Sequence, residues 1–119
     1  MIHLYGIPNC DTTQKAIKWL QKQSVEFTFH DYKLEGVSSA TLHKWLRSIP
    51  LSKLLNQRST TYRELPAHDK EGVDDTEKAI DLMIRHNSLI KRPLIDFGND
   101  NYVLGWNEQE MSALLGITR

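Results

Sequence analysis

The stretch that most constrains this chain is its first thirty residues, where a strand, a helix and a second strand follow one another with almost no linker. "IHLY" is a short apolar-leaning run closed by Gly6 and Pro8, and it reads as a strand. Residues 11–23 read as a helix. Ala16, Ile17, Trp19 and Leu20 form its apolar face, while Lys15, Lys18 and Lys22 point to water. "VEFTFH" then alternates, with Val25, Phe27 and Phe29 on one side and Glu26, Thr28 and His30 on the other. A strand–helix–strand unit of this length implies two parallel strands joined by a right-handed crossover.

The chain continues as a helical middle. Gly36 breaks it, Ser38 or Ser39 caps the next helix, and Leu42, Trp45, Leu46 and Ile49 form a buried stripe before Pro50. Leu51, Leu54 and Leu55 suggest one more helical turn, and residues 56–73 read as polar and irregular. A second long helix starts near Asp74 or Asp75, with Asp74 and Glu77 at capping-box spacing. Its core face is read as Ala79, Ile80, Met83 and Ile84. "PLIDF" and "NYVLG" around "GNDN" then read as a hairpin. Asn107 with Glu110 opens a last helix over 108–115, which Gly116 ends.

The expected fold class is therefore α/β. A mixed sheet of about four strands is flanked by helices in the thioredoxin-like element order, with a helical insertion over about 37–88. At 119 residues the chain suits one domain, 1–119.

Formal net charge is zero, from 15 Lys and Arg against 15 Asp and Glu, which gives no bulk attraction to nucleic acid or an acidic membrane. No apolar run approaches the ~20 residues of a membrane helix, and "MIHLYGIPNC" lacks the features of a signal peptide. The expectation is a cytoplasmic protein, a monomer, that binds neither nucleic acid nor membrane. The single cysteine cannot form an internal disulfide, and the five scattered His residues form no metal-ligand pair, so no metal site is expected.

That cysteine, Cys10, follows a Gly-Ile-Pro-Asn turn at the start of the first helix. One reading makes it a small buried apolar residue. The other makes it a nucleophile, because the free N–H groups and partial positive charge of a helix N-terminus favour thiolate over thiol. Asn9 and Thr12 add nearby hydrogen-bonding capacity. Asp11 opposes thiolate formation if it faces the sulfur, and stabilises the first helical turn if it faces away.

Two further stretches are candidates to meet the sulfur in space. "NQRSTTYRE" carries Arg58, and "IKRPL" carries Lys91 and Arg92 directly before Pro93. A guanidinium binds an oxyanion or carboxylate through paired hydrogen bonds, and near Cys10 it favours the ionised thiol. X-Pro is the bond type that tolerates cis, although the sequence alone favours trans at Pro93. Trp19 and Trp45 lie on apolar helix faces. Trp106 is read as core or as a pocket wall, and no role is assigned to His30 or Tyr32.

At "YGIPNCDTTQKA", "NQRSTTYRE" and "IKRPLI" the sequence resembles the arsenate reductase (ArsC)/Spx family of thioredoxin-like proteins, and within it the YffB-like branch of small bacterial proteins. The resemblance runs over nearly the whole chain. It implies that Cys10 is the catalytic nucleophile, that Arg58 and Arg92 bind an oxyanion, and that Pro93 is cis. Asn9, Asp11, Thr12 and Lys91 join them as candidate substrate-binding residues. Glutathione is the implied co-substrate and glutaredoxin the implied reducing partner, with no bound cofactor.

One departure matters. Glutathione-coupled arsenate reductases carry a further arginine after the closing hairpin. Here "YVLGWNEQE" stands there, with no Arg or Lys between Arg92 and Arg119. The resemblance then points to a glutathione-dependent thiol reductase, with arsenate reduction and Spx-like binding to RNA polymerase as alternatives. Thr13 occupies the place of the second cysteine of a CxxC redox switch.

Overall fold

In this computed structural model, which describes residues 2–116, the first strand becomes the centre of the molecule. Strand β1 (Ile2–Gly6) pairs in parallel with β2 (Phe27–Asp31) on one side. On the other side it pairs antiparallel with β3 (Leu94–Gly98), which pairs antiparallel with β4 (Asn101–Leu104). The sheet order is β2-β1-β3-β4, a mixed four-stranded sheet flanked by helices in the expected thioredoxin-like arrangement. The β3–β4 turn uses positive φ at Gly98, Asn99 and Asp100, which suits the Gly-Asn-Asp sequence found there.

Register sorts the sheet into two unlike faces, because alternate residues point to opposite sides. Leu4, Phe27, Phe29, Ile95 and Val103 pack with helix α1 (Asp11–Lys22) and the final helix into one apolar cluster. Leu4, Leu20 and Ile95 are wholly buried there, and each such side chain contributes roughly 1.5–3 kcal/mol. Trp106 belongs to this cluster. Its ring meets Trp19 edge-on, centroids 5.4 Å apart, and it packs, partly buried, against this cluster.

The opposite face carries Tyr5, Leu94 and Tyr102 beneath the helical middle. His30, which the sequence reading left without a role, stacks on Tyr5 with centroids 4.5 Å apart and hydrogen-bonds both His3 and Glu35. That middle extends from Tyr32 to Leu89, somewhat wider than the expected 37–88. It comprises α2 (Tyr32–Glu35), α3 (Ser39–Leu46), α4 (Leu51–Leu54), α5 (Thr60–Arg63), α6 (Ala67–Glu71), α7 (Thr76–Arg85) and a 3₁₀ turn at Asn87–Leu89. Residues 56–73, expected to be irregular, hold two of these short helices. Pro66 starts one of them, as proline does at a helix entrance.

Caps set most of these boundaries. The Ser38 hydroxyl accepts from the Thr41 N–H, and Asp75 accepts from the N–H groups of Glu77 and Lys78. Asp75, and not Asp74, is therefore the cap of α7. The core face of α7 also differs from expectation: Ala79, Ile80, Leu82 and Met83 are buried, whereas Ile84 is exposed. Asn107 accepts from the Glu110 N–H to open α8 (Glu108–Leu115), and Gly116 closes it in the left-handed conformation. Among the described residues no helix is long and apolar enough to cross a membrane.

Candidate active site

The turn between β1 and α1 delivers Cys10 to the helix N-terminus. Its N–H donates to the Ile7 carbonyl at 3.1 Å, closing the turn, and its backbone is extended (φ −92°, ψ 124°), as an N-cap requires. The Cys10 carbonyl accepts from the Gln14 N–H at 2.9 Å and so starts the helix. Cysteine supplies no side-chain cap here, which leaves the sulfur facing the open N–H groups of the first turn. It is partly exposed, and its hydrophobic side rests against the cluster of the helical middle.

Burial pushes the Cys10 thiol up. The Thr13 backbone N–H and hydroxyl, the Arg92 guanidinium and the Thr12 N–H, all directed at the sulfur, outweigh burial and hold the thiol below its ordinary range. The two N–H groups are the free donors of a helix start, so the strand–turn–helix geometry itself contributes to this effect. Arg92, from the segment that precedes β3, acts on the sulfur through its guanidinium. Its Nη1 donates to the Ser88 carbonyl at 2.9 Å, which fixes the guanidinium, and its Nε is buried with no hydrogen-bond partner. The Arg92–Pro93 peptide bond is cis, as the family resemblance implied and against the odds of sequence alone.

The other candidates divide. Thr12 contributes through its backbone N–H. Asp11 is exposed in the first turn, and Asn9 is exposed in the turn before it. Arg58 and Lys91 are both exposed and share a separate groove; neither is among the groups that act on the sulfur. The sequence reading missed Thr13 as a site residue. It is completely buried, and its hydroxyl, which helps to lower the Cys10 pKa, makes no hydrogen bond of its own. Its spacing was the available signal, because a residue three positions after an N-cap returns to the cap's side of the helix. Tyr32 was also passed over. It is 1% exposed, its hydroxyl has no partner, and burial drives its ionisation far above the ordinary range while nearby Arg92 works against that shift.

Among the described residues no group of three or more His, Cys, Asp or Glu side chains is arranged to hold a metal ion. The chemistry this arrangement can perform is nucleophilic attack by a single activated sulfur.

Comparison with known proteins identifies the family and relatives of the fold. The profile of the ArsC family matches residues 5–114. The solved structure of a protein named YFFB (PA3664) is 36% identical, with a TM-score of 0.89 over 95% of this chain and 97% of that one. An arsenate reductase (ArsC) related protein from Brucella melitensis is 37% identical, with a TM-score of 0.74 over 96% of this chain and 93% of the other. The global transcriptional regulator Spx 1 of Lactococcus lactis is 29% identical over 97% of this chain and 89% of its own length.

Proposed function

This chain belongs to the ArsC family, and from that premise we propose that it is a cytoplasmic, monomeric monothiol oxidoreductase with Cys10 as nucleophile and glutathione as co-substrate. The observation that carries this reading is the Cys10 sulfur held below its ordinary pKa range by helix N–H groups, Thr13 and Arg92. A thiolate is the attacking species in thiol–disulfide exchange.

The reaction runs in three exchanges. The Cys10 thiolate attacks one sulfur of a substrate disulfide; a Cys10–substrate disulfide forms and the other substrate sulfur leaves as a thiolate, taking a proton from water. A glutathione thiolate then attacks the Cys10 sulfur, which releases the second substrate thiol and leaves Cys10 bonded to glutathione. A second glutathione, or a glutaredoxin thiol, attacks the glutathione sulfur and frees Cys10. With two glutathiones, one disulfide has been reduced to two thiols and one glutathione disulfide made. Arg92 and the helix N-terminus stabilise Cys10 both as attacking and as leaving thiolate. Arg58, Lys91 and Arg92 bind carboxylates of glutathione, and Asn9, Thr12 and the backbone beside Pro93 position the sulfur partner.

The deciding experiment is glutathione-dependent reduction of a small disulfide by wild type and Cys10→Ser. The reading expects turnover in the first and none in the second; full activity in Cys10→Ser overturns it.

Two relatives favour rival readings. The likeness to an arsenate reductase related protein supports arsenate as substrate, but "YVLGWNEQE" offers no third cation for a multiply charged oxyanion. Arsenate-dependent turnover with glutathione and glutaredoxin tests it. The likeness to Spx supports a regulator that binds RNA polymerase, yet Thr13 stands where a second cysteine would form a switch. Capture of polymerase subunits unaffected by Cys10→Ser would favour that role.

A further inference from the structure

The guanidinium that acts on Cys10 is anchored at one point among the described residues. Arg92 Nη1 donates to the Ser88 carbonyl at 2.9 Å, while Nε is buried without a partner. The buried Tyr32 hydroxyl, which feels the Arg92 charge, makes no hydrogen bond and so gives no second anchor. A planar fork on a flexible stem takes its direction from the acceptor it is bonded to. The position of the Ser88 carbonyl therefore decides where Arg92 points.

Ser88 is the middle residue of the 3₁₀ turn Asn87–Leu89. The hydrogen bonds within such a turn are poorly aligned, so it needs outside support to hold its place. Three ties supply it. The Leu89 carbonyl accepts from the Asn56 N–H at 2.7 Å, a backbone bond that asks for no particular side chain. The Ser88 hydroxyl lies 2.8 Å from the Thr61 hydroxyl on α5. The Asn87 side-chain amide, through Nδ2, donates to the Tyr32 carbonyl at 2.8 Å.

The Asn87 tie differs from the others in where it leads. Tyr32 follows directly on β2, and Asp31 at the end of β2 pairs with Gly6 at the end of β1. Gly6 opens the turn that carries Cys10. Asn87 thus joins the holder of the guanidinium to the two strand ends from which the sulfur is placed. Asn87 is not among the groups that act on the sulfur. The same Tyr32 carbonyl also accepts from the Gly36 N–H at 2.9 Å, so only a donor suits position 87, and an amide supplies one without adding charge.

We propose that Asn87 is a positioning residue: by tying the 3₁₀ turn to the strand ends beside Cys10, it sets the Ser88 carbonyl and so aims the Arg92 guanidinium at the sulfur. This rests on the reading of Cys10 as the nucleophile, and it names the side chain that aligns the activating charge. Thr61, bonded to the other side of the turn, is the second tie.

The test is the pH dependence of Cys10 alkylation by iodoacetamide in the full chain. It compares wild type, Asn87→Leu, Arg92→Ala and the double variant, with thermal unfolding followed on the same samples. Asn87→Leu keeps the size of the side chain, removes the donor and changes no charge. It should slow alkylation at pH 7 by about two- to fivefold, the size of an ordinary coupling between neighbouring residues, and move the inflection upward. The double variant should match Arg92→Ala alone, because Asn87 works only through Arg92. A loss of stability with the inflection unmoved would overturn the proposal. So would equal slowing with and without Arg92, or an Arg92→Ala inflection equal to wild type. Should Asn87→Leu not fold, Thr61→Val decides: the inflection should again rise, and an unmoved one overturns the proposal. Glutathione-dependent disulfide reduction keeps this proposal apart from the reading it rests on. No turnover by wild type, beside an inflection that follows Asn87 through Arg92, upholds the positioning and removes the reductase. Turnover beside an inflection indifferent to Asn87 removes the positioning alone.

Discussion

A Cβ built on Gly6 would stand 2.7 Å from the Thr13 hydroxyl oxygen and 2.9 Å from its methyl carbon. The end of β1 and the first turn of α1 therefore touch at a point where only glycine fits. This contact packs the wholly buried Thr13 against the strand end, one turn along the helix from Cys10. The glycine sets the distance between strand and helix, and at that distance the Thr13 hydroxyl helps to hold the Cys10 thiol below its ordinary range.

Removing the Thr13 hydroxyl should raise the Cys10 pKa. Thr13→Val keeps the shape but loses the donor, so iodoacetamide alkylation near pH 7 should slow and its inflection move to higher pH. Thr13→Ser keeps the donor and should behave like wild type. Gly6→Ala should cost about 1–3 kcal/mol in denaturant unfolding, since a packed contact must shift to admit the methyl. Equal alkylation profiles in Thr13→Val and wild type would remove the Thr13 hydroxyl from the site and leave only its backbone N–H there.

Arg92 acts on the same sulfur through charge. Arg92→Ala should move the alkylation inflection upward, toward the free-thiol value of about 8.5. Arg92→Lys should recover part of the difference, because an ammonium supplies charge but not a planar fork that holds the Ser88 carbonyl and the sulfur together. An inflection indifferent to both changes would mean that the helix N-terminus and Thr13 activate Cys10 without Arg92.

The sheet and the Cys10 turn were legible because their signals are local. Alternation placed Phe27 and Phe29 on the apolar face, and Asn107 with Glu110 marked the start of α8. The groove that Arg58 and Lys91 share was not legible, because their segments meet through a non-local bridge between Leu55 and Ile90 that leaves no periodic trace. Arg58 and Arg92 were both named as anion binders, yet only Arg92 meets the sulfur; nothing in either local sequence separates them. The α7 face was misjudged by a small rotation. Ala79, Ile80 and Met83 were correctly assigned, but the buried stripe is centred nearer Leu82 than Ile84, a shift of about half the ~100° step between helical neighbours.

That rotation has a measurable consequence. Leu82 is 2% exposed and Ile84 is 39% exposed. Leu82→Ala should destabilise the fold by about 2–5 kcal/mol through the cavity it leaves. Ile84→Ser should stay within about 1 kcal/mol of wild type, near the range of ordinary surface changes. Chemical denaturation of the two variants side by side checks it, and a larger loss for Ile84→Ser would restore the face expected from the sequence.

The tether between α3 and α7 should make part of the stability pH-dependent. His43 Nε2 lies 2.7 Å from the Glu77 carboxylate and Nδ1 lies 2.8 Å from the Ser39 carbonyl, so both ring nitrogens face acceptors and the imidazolium satisfies both. The Glu77 hydrogen bond, with the Ser39 carbonyl, accordingly raises the His43 pKa above its ordinary value. A raised folded-state pKa means that folding takes up a proton, so stability falls as pH rises through this range. The contribution is complete below the unfolded value of about 6.5 and disappears as pH climbs through the folded one. Thermal unfolding should therefore show wild type ahead of His43→Gln at pH 5.5, with the gap closing by pH 8. Glu77→Gln should close most of it at every pH, because the charge that favours the imidazolium is then gone. A gap that widens with pH would show that the ring acts as a neutral hydrogen-bonding group.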